Sequence, residues 1–180
     1  MDISEWKKQL EKERSEKDEF FIADPNSPIP LENRFKFEGL KYYPLNQDYR
    51  FELELWVHSE KKVLDIEDTQ GEIRRFIQWG EFRFRLDEKE CAIQAYKTDA
   101  NDQDLFISFR DKTSGSETYG AGRYLDFSAE RDINREGKWI LDFNRAYNPF
   151  CAYNKAYACP LAPLENSLEV KIQAGEKNPS

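Results

Sequence analysis

The sequence predicts an all-β fold, an antiparallel meander of about 8–10 strands forming a barrel or a sandwich, preceded by an N-terminal α-helix. Three observations predict it. Apolar residues recur with period two from Arg50 onward, tight turn signals separate the runs, and no helical pattern falls between them. Sequential hairpins favour closure into a barrel, because closure removes exposed edges; period alone does not choose between barrel and sandwich.

The elements follow in order. Asp2 and Glu5 have the spacing of a capping box, and Ile3, Trp6 and Leu10 share one helical face, which predicts a helix over about residues 3–19. The narrow apolar stripe places this helix on the outside of the body with Trp6 as its anchor; a protruding, partner-binding helix is the alternative. PNSPIPLENRF, residues 25–35, carries three prolines and ends the helix. The chain thus divides into a helix (1–24), a Pro-rich extended wrap (25–48) and an antiparallel β domain (49–180) with irregular segments at 110–126 and 144–166.

Within the β domain, Phe51, Leu53, Leu55 and Val57 alternate with Arg50, Glu52, Glu54 and Trp56, the pattern of a half-buried strand. A turn at 58–61 leads into 63–67, Thr69-Gln70-Gly71 turns into 73–78, and Gly80 bends the chain into 81–86. A hairpin at 87–89 returns through 90–96. Leu105, Ile107 and Phe109 follow the polar loop 98–103; Trp139, Leu141 and Phe143 form another alternating set, and residues 168–173 a final strand.

Composition excludes several functions. One domain of 180 residues is long enough for a single core. No apolar run reaches the roughly 18 residues of a membrane span, and the charged start MDISEWKKQLEKERSEKDEF lacks a signal-peptide core. A soluble, cytoplasmic protein is expected. With 35 acidic against 27 basic residues the formal charge is -8, which argues against a nucleic-acid partner. The alternation Phe82, Arg83, Phe84, Arg85, Leu86 reads as a strand with a solvated basic face. Cys91, Cys151 and Cys159 are an odd number without CxxC spacing, so neither a disulfide framework nor a zinc ribbon is signalled, and Cys91 reads as a small core residue. His58 is the single histidine, in a surface turn, which excludes a His-rich metal site and leaves Ser-His-Asp or Cys-His chemistry dependent on a distant residue.

Two stretches break the strand rhythm. The first, FRDKTSGSETYGAGRYLDF (109–127), has Gly115, Gly120 and Gly122 among hydroxyls, with Arg110 and Arg123 at its ends. Such backbone presents N–H groups to an anion or serves a long hairpin loop. GAGRYL lacks the third glycine and following helix of a dinucleotide site. The second stretch, 144–166, places Asn144, Tyr147, Asn148 and Asn154 where amides and phenols bond irregular backbone or a ligand. Pro149, Pro160 and Pro163 restrict it. Cys151 and Cys159 are close enough to pair through a small loop, or remain reduced.

With LDFNRAYNPFCAYNKAYACPLAPLENSLEVKIQAGEK and the upstream FEGLKYYPLNQDYR, these segments closely resemble domain of unknown function 1684, an uncharacterised family of bacteria and archaea, over about Phe35 to Lys177. The matching positions include Arg110, Asp111, Glu117, Tyr119, Arg123 and Tyr124, then Asp142, Asn144, Tyr147, Asn148, Cys151, Cys159, Glu165 and Asn166. Ser108, Lys155 and Ala162 depart from the pattern. The family carries no assigned reaction, so the resemblance leaves activity and cofactor unknown, but it directs attention to the two irregular segments.

The reading that uses these residues is a binding module whose cleft is lined by both segments. Arg110, Arg123 and Arg145 would face a small anionic ligand, Tyr119, Tyr124 and Tyr147 would stack on or bond the rest of it, and Asn144 and Asn148 would supply amides. Acid–base chemistry by Asp111, Glu117, Asp126, Asp142 or Glu165 is an alternative, without a spacing that singles out a pair. A structural or interaction protein is the other, in which the aromatic run seals one end of the body and the arginines pair internally with Asp126 or Asp142.

Overall fold

The computed structural model describes residues 2–179. Helix α1 (Ile3–Ala23) runs four residues past its expected end and stops before Pro25; the Asp2 carboxylate caps it by accepting from the Ser4 amide at 3.3 Å. It does not protrude. Trp6, Leu10 and Phe21 are buried, and Phe21 meets Phe37, Phe150 and Tyr153 ring to ring. The following segment makes a 3-10 turn at Leu31–Lys36, then lies extended against the C-terminal chain through a bridge between Tyr42 and Glu176.

The alternating set from Arg50 is one pattern but two strands. β1 (Arg50–Leu53) leaves the main sheet to pair with β7 (Trp139–Asp142), whereas β2 (Trp56–Glu67) pairs with β3 (Ile73–Leu86). Residues 58–61 do not reverse the chain as expected. They bulge outward between the register pairs Val57–Gly80 and Lys62–Gln78, with the Lys61 ammonium bonded to the His58 carbonyl and lying over the Trp79 ring at 4.8 Å. A β-carbon at Gly80 would lie 2.7 Å from the Trp56 carbonyl oxygen, so glycine lets the two strands approach beside the bulge.

β4 (Lys89–Lys97), β5 (Leu105–Phe109) and β6 (Arg123–Phe127) complete an antiparallel sheet of order β2-β3-β4-β5-β6. The β3–β4 hairpin is a two-residue turn with Asp87 and Glu88 both at positive φ. A short helix, α2 (Ala129–Asp132), precedes β7. Seven strands are present among the described residues, fewer than expected, and the sheet does not close: β2 and β6 are its free ends, so there is no barrel. The fold is antiparallel β with an N-terminal helix, and long stretches of irregular chain make the all-β expectation loose.

One face of the sheet carries the main core. Phe82, Phe84, Ile93, Ala95, Leu105, Ile107, Phe109, Leu125 and Phe127 point inward, and the β1–β7 pair closes over them with Phe51, Leu53 and Leu141. Phe51 and Phe84 meet across the gap at 5.0 Å. The expected last strand is present as chain but not as a regular strand. Its backbone runs parallel to residues 110–112, with bonds Arg110 N to Asn166 O, Leu168 N to Arg110 O and Lys112 N to Val170 O, while Leu168, Val170, Ile172 and Ala174 fill the core.

The irregular run 144–166 crosses the other face. It bonds the β6 edge through reciprocal Tyr124–Tyr147 amide–carbonyl contacts, and reaches the opposite edge where Leu161 N donates to Glu67 O and Thr69 N to Cys159 O. Both ends of an open sheet are thereby blunted by one segment. The run then returns to mid-sheet, where β4 and β5 share only the Tyr96–Phe106 pair. The fully buried Asn166 amide accepts from Gln94 N at 2.8 Å and donates to the Gln94 and Ser108 carbonyls at 3.0 Å each, replacing ladder bonds where the strands part. Asn166→Ala strands one amide and two carbonyls in the interior, for an expected loss of about 2–4 kcal/mol. A shifted urea midpoint with unchanged slope is the expected result; an unmoved midpoint would remove Asn166 from this role.

Candidate functional site

Of the eight residues singled out from sequence, seven fall into three environments and Arg110 stays on the surface. Arg123 is in the core: β6 alternation points it inward beside Leu125 and Phe127, and it is 1% exposed. Its guanidinium pairs with Asp111 Oδ2 at 3.1 Å and donates to the Ala174, Glu176 and Ile172 carbonyls, with Phe109 beneath it at 5.3 Å. Gly122, at φ +104, brings β6 so close to β5 that a β-carbon would lie 2.4 Å from the Phe109 carbonyl oxygen. Arg123 therefore lines no cleft. Arg123 is paired internally, as the alternative structural reading has it, but with Asp111 and not with Asp126 or Asp142. Arg110 is exposed at the start of the same loop and contributes its backbone, not its guanidinium, to the parallel contact with residues 166–168.

Tyr119 and Tyr124 join a second cluster beneath the crossing run. Tyr124 OH donates to the Pro160 carbonyl, Tyr119 OH lies 3.6 Å from Cys151 Sγ, and Phe106, Phe150 and Tyr157 pack around Cys151 and Cys159. The two irregular segments therefore do meet, as expected, but through a packed aromatic cluster. Burial raises the Tyr124 phenol well above its ordinary range and pushes Tyr119 up to about 12.

The third environment is a cleft of about 200 Å³ under α1. Leu10, Glu13, Arg14 and Lys17 recur at helical spacing, so one face of α1 forms its roof. Asn144, Arg145, Ala146 and Tyr147 form one wall with Asp126 and Arg131; Tyr42 and the buried Glu176 lie at the base. Asn144 is held by Asp142 and by both polar groups of the Asn46 backbone. Asn148 lies just below: its amide N–H donates to Glu176 Oε2 at 2.8 Å and its side chain to Lys177 O. The Asn144 side chain is thus committed to the Asn46 backbone and Asp142, the Asn148 side chain donates to Lys177 while its buried Oδ1 has no partner among the described residues, and Arg145 and Tyr147 border the cleft.

Its charges are extensively paired. Lys17 Nζ donates to Glu176 Oε1, Arg145 meets Glu13 at 3.1 Å, and Arg131 is forked onto Asp132 and bonds the Asp126 carbonyl. Tyr147 OH donates to Asp126 Oδ2. Burial, then the Asp126 carboxylate, drives the Tyr147 phenol far above its usual range; burial likewise raises Tyr42, with Glu176 adding to it. Arg14 stacks on Tyr42 at 4.1 Å and donates to the Tyr43 and Asn144 carbonyls, while its buried Nε has no partner among the described residues. Burial lowers its pKa. Sequence reading passed over Arg14 and Lys17, because on a Lys/Glu-rich helix a docked charge and a solvated one have the same spacing, and over Tyr42, Arg131 and Glu176, which lie outside the two irregular segments.

The five carboxylates considered for acid–base work are dispersed. Asp111 serves Arg123, Glu117 takes Tyr43, Lys171 and Gln173, Asp126 takes Tyr147, Asp142 takes Trp6 and Asn144, and Glu165 takes Tyr96 and Gln78. No two of them share a hydrogen bond among the described residues. His58 is half-buried and bonded to Gln94 at 2.7 Å, not free in a turn, and Cys91 is half-buried at the margin of the core. Among the described residues no helix is long and apolar enough to cross a membrane, and no group of three or more His, Cys, Asp or Glu could hold a metal ion.

These features define a helix-strapped antiparallel β protein with a charged cleft beneath the helix. The chain belongs to the family described as protein of unknown function (DUF1684), whose sequence profile matches residues 35–177. That match begins after α1, so the helix and its Arg14 and Lys17 lie outside it. A solution NMR structure of an uncharacterised protein of Haloarcula marismortui is similar over 97% of this chain and 95% of that one, at 39% identity and a TM-score of 0.74. No curated protein matches the chain.

Proposed function

We propose that the cleft beneath α1 binds a small anionic molecule bearing a carboxylate or phosphate group. The observation that supports this is Arg14: its guanidinium lines the cavity without a carboxylate salt bridge, and its buried Nε has no hydrogen-bond partner among the described residues, whereas Lys17, Arg131 and Arg145 are each paired. Arg14 Nε and the uncommitted donors of Arg145 supply hydrogen bonds, and the Tyr42 and Tyr147 rings supply flat apolar surface. Of the sequence-predicted residues, Arg145 and Tyr147 carry the reading; Arg110, Arg123 and Tyr124 drop out of it.

Thermal melting in phosphate, citrate and adenosine monophosphate tests it. A ligand at a hundred times its Kd stabilises by about 2.7 kcal/mol, which for a chain of this size raises Tm by roughly 5–10 °C. Arg145→Gln, a half-exposed side chain, should abolish that rise while lowering the unliganded Tm by no more than about 3 °C. If none of the three anions moves Tm, or if the rise survives in Arg145→Gln, the cleft is not the site. The crossing run favours a second reading, a purely structural role for the aromatic segment, since its polar groups close both sheet edges instead of facing a cavity.

A further inference from the structure

Cys151 and Cys159 are brought together beneath the aromatic cluster. The Cys151 amide donates to Cys159 Sγ at 3.4 Å, Tyr119 OH lies 3.6 Å from Cys151 Sγ, and both cysteines are buried as free thiols. Cys151 sits in the 3-10 turn Phe150–Ala152, outside any strand ladder. Cys159 is fixed to the end of β2, its carbonyl accepting from Thr69 N and its amide donating to Thr69 Oγ1. One sulfur is thus anchored on the sheet and the other rides on an irregular turn, an arrangement that lets the turn adjust to the torsion a disulfide requires.

We propose that Cys151 and Cys159 are an oxidation site, at which hydrogen peroxide converts the two thiols into an intramolecular disulfide. One thiolate attacks a peroxide oxygen, the O–O bond breaks, and the departing hydroxide takes up the released proton to leave water and a sulfenic acid. The second sulfur then attacks the sulfenyl sulfur, and the sulfenic oxygen departs with its hydrogen and the second thiol's proton as water. The sum is two thiols and one peroxide giving one disulfide and two waters, with two electrons passing from sulfur to oxygen. A neighbouring thiol intercepts the sulfenic acid before further oxidation, which a solitary cysteine does not do.

Burial pushes the Cys159 thiol up to about 11, so the thiolate is scarce near neutrality and the conversion quickens as pH rises. The bridge would close the turn that carries Tyr153. That ring packs on Phe21 of α1 at 5.0 Å and its hydroxyl donates to Glu176, the carboxylate held by Lys17. Oxidation therefore stiffens the surface on which α1 rests. The inference stands on the thiol geometry and is independent of the anion reading.

Intact-mass spectrometry after peroxide treatment of the folded protein, with iodoacetamide labelling under denaturing conditions, tests it. The expected product has lost two hydrogens, labels only at Cys91, and yields a bridged peptide containing Cys151 and Cys159. Its Tm should exceed that of the reduced protein by about 5–10 °C. Dithiothreitol should reverse the gain, and Cys151→Ser and Cys159→Ser should each lack it. A protein isolated already bridged, with the same dithiothreitol-sensitive Tm, is equally supportive. Sulfinic or sulfonic acid at either position, a dimer linked through Cys91, or a bridge that leaves Tm unchanged overturns the proposal.

Discussion

Arg123→Met should cost about 3–5 kcal/mol, because it leaves Asp111 charged in the interior without its cation. The Asp111 side chain is fully buried; it keeps bonds from Thr113 and the Ile172 amide, but the Ala174, Ile172 and Glu176 carbonyls lose the donors Arg123 gave them. Urea unfolding should show the loss as a lower midpoint. The double variant Arg123→Met/Asp111→Asn should recover at least about 1 kcal/mol of the sum of the single losses, since the two side chains touch. A midpoint unchanged in Arg123→Met would overturn the buried pair, and strict additivity would show that the two groups do not interact.

Alkaline pH should unfold the protein in a single step accompanied by tyrosine ionisation. Tyr42, Tyr96, Tyr124, Tyr147 and Tyr153 all have phenols raised above the ordinary value, with burial as the leading cause in each. A group whose folded pKa lies above its unfolded value stabilises fully below the unfolded pKa. That stability is withdrawn as pH rises above about 10 toward the folded pKa. Even halved for solvent screening, five such phenols withdraw about 3 kcal/mol per pH unit, enough to exhaust a typical domain within a few units. Phenolate absorbance should therefore rise together with the loss of far-ultraviolet circular dichroism. If most of the tyrosines titrate near pH 10 with the dichroism intact, the phenols are not held as buried neutral groups.

Period two revealed which residues face the core in the central strands, since Leu105, Ile107 and Phe109, or Phe82 and Phe84, bury as their alternation requires, but Val57, expected to share a buried face with Phe51, Leu53 and Leu55, is exposed on β2. It did not reveal that Leu53 and Trp56 belong to different sheets, because the break at residues 54–55 keeps the phase and carries neither glycine nor proline. The segments at 110–126 and 144–166 were legible as special from their aromatics, asparagines and glycines. Their chemistry was not: Asn144 and Asn166 have the same appearance whether they meet a ligand or satisfy backbone, and only the fold shows that backbone takes them. The cleft was legible only at Asp126, Asn144, Arg145 and Tyr147. Its other half comes from a helix more than a hundred residues earlier in the chain, which local spacing cannot pair with it.

The run that closes both sheet edges also sets an order of events during synthesis. β2 to β6 can assemble once Phe127 is available, yet Tyr147 must follow before the β6 edge is covered, and Leu161 before β2 receives its second partner. β1 waits as well, since its partner β7 begins only at Trp139. A chain ending near residue 140 therefore has every strand of the main sheet but nothing over either of its edges, and bare strand edges recruit other chains. C-terminal truncation before Leu161 should consequently yield aggregates instead of a smaller folded protein, because the last fifth of the sequence is what keeps both edges of the sheet from pairing with other chains.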